Sequence, residues 1–308
     1  MAVSTAAVLR EADAAAAEAA RDARAEVLER EGVNSEPKKQ NSARKKKRIA
    51  KASQTSDGWH KFVVDVWITN FNSVEFGIYK HSRNRAKSRQ FTKDMDVFAE
   101  IVENGERTGL LSYREDLWKE KEGTDKRLVV KLFSDKLNWQ STMDLMLARS
   151  LAQTFGARGL PVTTYSVNTS NDDYVVYIER SANKWPLLPE YFSFFLIDKD
   201  GNPDFYILRR DVINIGGDYT LYNQKSEVVG HLDGRILTLG GYWTGYVKED
   251  LADRRLLNVM KMIAGMILFN GSCRRHIKAL YRDIRDGRVE ATIERQETDL
   301  YMNPRRVR

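Results

Sequence analysis

The chain has 308 residues, 42% of them hydrophobic and 30% charged, with a net charge of +7. That is enough length and apolar content for one large domain or two ordinary ones. The single Cys273 excludes an internal disulfide framework and fits a reducing compartment.

Charge comes in blocks. Residues 1–36 are acidic, residues 37–93 carry 15 basic and 3 acidic side chains, and the remainder is nearly balanced. A basic segment therefore precedes a near-neutral globule. The first stretch, MAVSTAAVLREADAAAAEAA, places acids where a secretory segment would be apolar. Residues 5–31 are rich in Ala, Glu and Arg and read as a helix with little to bury. Residues 37–57 contain Lys38, Lys39, Arg44, Lys45, Lys46, Lys47, Arg48 and Lys51 and read as disordered.

Order is expected from Trp59. HKFVVDVWITN (60–70) and FGIYKH (76–81) are rich in the residues strands favour. A second basic cluster follows, with Lys80, Arg83, Arg85, Lys87 and Arg89 and no acid between them. Met95, Phe98, Ile101 and Val102 fall on one helical face, predicting a helix over 92–104. RLVVKLF (127–133) reads as a strand, and a helix is expected over 138–155, closed by Gly156. A hairpin, LPVTTYSV then DYVVYIER, follows. Beyond Trp185 and Pro189 come six short alternating runs at a spacing suited to an antiparallel meander or barrel. Two helices are expected over 251–269 and 272–286, broken at Asn270–Gly271; the first is apolar on nearly every side.

The expected organisation is thus α+β in three parts. Residues 1–58 form an Ala-rich helix and basic arm, 59–186 a mixed α/β region, and 187–303 an antiparallel, barrel-like region around an apolar helix. The longest apolar run, 256–269, contains Asn258 and Lys261 and falls short of the roughly 20 residues of a spanning helix.

Motifs for chemistry fail one after another. DKDGN at 198–202 starts like a calcium loop, but Pro203 and Arg209 occupy the positions that need Gly and an acid. His60, His81, His231 and His276 are scattered, so no metal site is expected, and no phosphate loop or nucleophile elbow predicts a cofactor. Arg274 and Arg275 beside Cys273 are a feature that activates thiols, but without a His partner a structural thiol is the expectation. The reading favours a non-catalytic protein.

The segment 204–250 carries a more particular pattern. Ile207 and Arg209 on one strand are followed by Gly217, Asp218 and Tyr219. Val228 and Val229 precede the turn Asp233-Gly234-Arg235, and Leu237, Leu239, Gly240 and Gly241 continue it. This resembles the hairpin unit of the LURP-one-related family, in the tubby C-terminal-like superfamily. The resemblance implies a β-barrel wrapped around a central apolar helix and a non-catalytic role, with membrane lipid binding among the relatives.

The expected partner is therefore an anionic lipid surface, with the two basic clusters as the polyanion-binding residues. The same clusters, with Tyr79 and Phe91 beside the second, support nucleic-acid binding of the coat or chromatin type as an alternative. Assembly through the Ala-rich helix or the C-terminal helices, as a homo-oligomer or on a protein partner, is the third reading. The expected setting is intracellular: cytoplasmic, nuclear through Lys45–Arg48, or peripheral to a membrane.

Overall fold

Phe62, Val64 and Val66 alternate with Lys61, Val63 and Asp65, and this period of two makes the first strand of the computed structural model. The structure describes residues 58–66, 91–92, 95–170, 174–182, 189–197, 201–211, 217–234, 241–290 and 297. The N-terminal helix and arm, the strand expected over 76–81 and both basic clusters lie outside these residues.

Among the described residues twelve strands follow in chain order: β1 (Trp59–Val66), β2 (Met95–Glu103), β3 (Glu106–Arg114), β4 (Val129–Ser134), β5 (Trp139–Leu145), β6 (Thr164–Thr169), β7 (Val176–Arg180), β8 (Tyr191–Ile197), β9 (Pro203–Arg210), β10 (Tyr219–Asn223), β11 (Val228–Gly234) and β12 (Tyr242–Lys248). Each pairs antiparallel with its neighbour in sequence, and β1 pairs with β12, from Trp59 opposite Lys248 to Asp65 opposite Tyr242. The sheet therefore closes into a barrel with no free edge. Helix α1 (Leu147–Gly156) follows β5, and α2 (Arg254–Arg285) follows β12.

The barrel is wound around α2. Residues 256–266 are buried on every side, which is why the sequence there has no polar face. The helix touches β1 and β12 on one side and β4 and β5 on the other. Asp253 starts it by accepting from the Leu256 amide at 2.8 Å. Past Met266 burial narrows to Phe269, Asn270, Cys273, Ile277 and Leu280, one face of a helix leaving the lumen. At the upper rim Arg254 reaches Ser170; at the lower rim His276 donates to the Lys126 carbonyl at 2.9 Å.

Four expectations need correction. The helix expected over 92–104 is β2. A bulge at Phe98 inserts an extra residue, so the inward-facing Phe98 and Ile101 stand three apart, as on a helix. Met95 and Val97 meanwhile pack outward, against Phe91, Leu110 and Phe133, so both faces of the strand are apolar. The helix expected over 138–155 is β5 followed by α1, with Met146 in extended geometry between them. The two C-terminal helices are one: Asn270 and Gly271 lie inside α2, where a Gly costs about 1 kcal/mol against Ala and packing on both sides of it outweighs that. Finally, residues 59–186 are not a separate α/β layer. They supply β1 to β7 of the same barrel, and the boundary expected at 186/187 falls between β7 and β8, which pair through Ile178 and Phe194.

Helix α1 has no side-chain cap of its own. Its amides at Ala148 and Arg149 instead donate to the Glu297 carboxylate, at 2.8 and 3.0 Å. A buried carboxylate on these first-turn amides satisfies them and complements the helix dipole. Glu297→Ala is expected to lower stability by about 1–2 kcal/mol, read from chemical denaturation, with exchange protection lost first at Ala148 and Arg149.

Candidate interaction surface

Residues 256–266 of α2 occupy the lumen. Two polar side chains of α2 that enter it find partners inside the protein. Asn258 donates to Ser141 Oγ at 3.2 Å. Lys261 places Nζ 2.8 Å from Glu103 Oε1, which also meets His60 Nε2 at 3.0 Å, while Thr108 donates to Glu103 Oε2 at 2.6 Å. Burial alone would raise the Glu103 carboxyl, but the His60 hydrogen bond and the Lys261 charge bring it down to about 2. Its folded value therefore lies below its unfolded one, so its contribution is present above the ordinary carboxylate range and is lost as pH falls toward 2. Stability is expected to fall by a few kcal/mol between about pH 5 and pH 2. Glu103→Gln should flatten that part of a pH titration of unfolding free energy.

At the lower rim Arg180, Glu190, Tyr219 and Asn270 form a buried network. Arg180 Nε donates to Glu190 Oε1, Asn270 Nδ2 donates to the same oxygen at 2.6 Å, and the Tyr219 hydroxyl donates to Oε2 at 2.9 Å. These groups join the end of β7, the start of β8, β10 and α2, so the network fixes where the helix leaves the barrel.

The residues weighed from the sequence for chemistry take structural places. Cys273 is buried, and burial pushes its thiol up to about 12, so it is not a nucleophile at neutral pH. His231 lies on β11 between Thr220 and Tyr246, with its ring 5.7 Å from that of Trp59. Tyr242 is buried beside Val63 and Val102, and Trp243 packs near Tyr219. Among the described residues no group of His, Cys, Asp and Glu is arranged to hold a metal. None of the thirteen predicted polyanion-binding residues, Lys38 through Arg89, is among the described residues.

The outer wall of β7, β8 and β9 is different in kind. Phe192, Phe194 and Leu196 of β8 point into the lumen, while Phe195 points out and is 56% exposed. Opposite it on β9, Phe205 lies with its ring 4.7 Å away. Beside them Arg149, Tyr174, Tyr177, Glu179, Phe195 and Ile197 line a cleft of about 330 Å³. The Arg149 guanidinium stacks 4.6 Å from the Tyr177 ring and pairs with Glu179 at 2.8 Å; Arg209 lies 5.9 Å from the Tyr191 ring. The signal for this wall was present in YFSFFLI: a strand with one face in water and aromatics on both faces has one aromatic too many.

No family model, curated protein or solved structure matches the chain.

One described helix, α2, is long and apolar enough to cross a membrane, but its apolar part is buried in the barrel. The wall itself has charged outward positions at Lys61, Asp65, Glu179 and Arg209, unlike the continuous apolar band of a membrane-spanning barrel.

Proposed function

We propose that this protein is a non-catalytic binding module of the tubby-like kind that associates with anionic membrane lipid. The observation that carries the reading is the closed barrel wound on an apolar helix. It is the architecture that the resemblance of residues 204–250 implied, and a filled lumen moves binding to the outside of the barrel. The basic residues of 38–51 and 80–89 add attraction to the same partner, about 1 kcal/mol for each cation near an anionic surface.

The test compares the full chain with residues 59–308, on phosphatidylserine vesicles and on a mixed nucleic-acid pool, at about 50 and 200 mM salt. Vesicle binding retained by 59–308 is the expected result. Nucleic-acid binding confined to the full chain, with neither chain on vesicles, would replace the lipid reading with an arm-driven nucleic-acid one. Self-association with no binding to either would make it an assembly protein.

A further inference from the structure

We infer that the outer wall of β7–β9 is the surface of the barrel that meets an anionic lipid interface, with Phe195 entering its apolar zone. This rests on the membrane reading above and names the contact that reading leaves open.

Three large apolar side chains among the described residues are exposed: Phe155, Phe195 and Leu268. Isolated apolar side chains are ordinary on protein surfaces. Phe155 lies against the Tyr281 ring, at 4.7 Å, and Leu268 stands on the helix flank. Phe195 is the most exposed of the three and does not stand alone. Phe205, Tyr177 and Ile197 extend it into a continuous apolar surface with a cleft beside it.

The chemistry around that surface selects the partner. Tyrosine and arginine border the phenylalanines, the mixture that suits the boundary between headgroups and acyl chains. Both arginines lie over tyrosine rings, so their apolar stems stay on the wall while their charge remains near the surface. Glu179 is the one acid on the outward positions of β7, β8 and β9, and Arg149 neutralises it. Arg209 is left as net positive charge, facing the same side as the exposed aromatics. On the described outward positions of these strands, the wall is apolar at its centre and carries Arg209 at its margin, a pattern that complements an anionic bilayer surface. The β2–β4 face differs, being covered by Phe91, Leu137 and Trp139.

The single cysteine makes the test direct. Cys273 is buried, so in Phe195→Cys the new thiol is the accessible one for a polarity-sensitive dye. The full chain carrying that dye is mixed with phosphatidylserine-containing vesicles and with pure phosphatidylcholine vesicles. A blue shift and quenching by brominated acyl chains are expected on the anionic vesicles, and neither from a dye at the exposed position of Lys278→Cys. Phe195→Ser should weaken partitioning about tenfold. Its thermal midpoint should stay near wild type, since the side chain is already mostly in water.

An unshifted dye on bound protein, with Phe195→Ser binding as tightly as wild type, would overturn the inference and leave the membrane reading standing. Failure of the wild-type chain to bind any vesicle would remove both. A dye shift that grows with protein concentration without lipid, together with self-association of the unlabelled wild-type chain that Phe195→Ser abolishes, would assign the wall to a protein partner and overturn the lipid contact.

Discussion

Arg180→Leu is expected to lower the free energy of unfolding by about 3–5 kcal/mol. Arg180 is 3% exposed and its partner Glu190 is 7% exposed, so neither charge is shared with bulk water. Burial alone would raise the Glu190 carboxyl, but the charge and hydrogen bond of Arg180, with those of Asn270 and Tyr219, hold it below the ordinary range. Removing Arg180 leaves a buried carboxylate with two neutral donors. The group then takes up a proton more readily folded than unfolded, which reverses the sign of its pH effect. Stability of the variant should be greatest below the ordinary carboxylate range and fall as pH rises through it. Arg180→Leu with Glu190→Leu removes the charge along with its partner and should recover much of the loss. Urea denaturation of the two single variants and the double gives the coupling energy, and additive losses would show that the ion pair is not what the site depends on.

Gly245→Ala is expected to destabilise the barrel by about 2 kcal/mol or more, a large effect for one methyl group. Gly245 lies on β12 directly opposite Phe62 of β1. A Cβ there would come 2.1 Å from the Phe62 ring. The ring cannot step aside freely, because it is wholly buried and Lys261 of α2 lies over it at 5.8 Å. The seam that closes the barrel thus depends on one residue without a side chain. Phe62→Leu should rescue part of the Gly245→Ala loss while being costly alone. Equal stability of Gly245→Ala and wild type would mean that the seam is looser than this packing implies.

Legibility in the sequence followed the strength of local patterns. β8 to β12 were readable because each alternates and glycine or polar turns separate them, as at Gly201 and Gly217, both at positive φ. The place of α2 was readable from its all-round apolarity. β2 was not, because a bulge and two apolar faces imitate a helical period. β5 was not, because a strand runs into a helix with one extended residue between them and no capping residue to mark the join. The missing cap lies at Glu297, |i−j| = 149 from Ala148, and no local pattern announces a partner so far along the chain. The aromatic wall was legible in composition but not in direction. Only the strand register shows that Phe195 meets Phe205 outside the barrel while Phe194 and Tyr206 stack inside it.

That α2 fills the lumen yet follows all twelve strands in the chain has a consequence for biosynthesis. Each strand finds its neighbour early, since all pairings but one are between consecutive strands. The surface those strands must bury has nothing to close upon until α2 emerges behind them. A nascent chain stalled after β12 would be a sheet with its apolar face bare, a ready substrate for chaperones and for aggregation. Productive collapse should therefore be a late, single event in which helix and closing seam form together. A stalled chain should become protease-resistant only once α2 has left the ribosome.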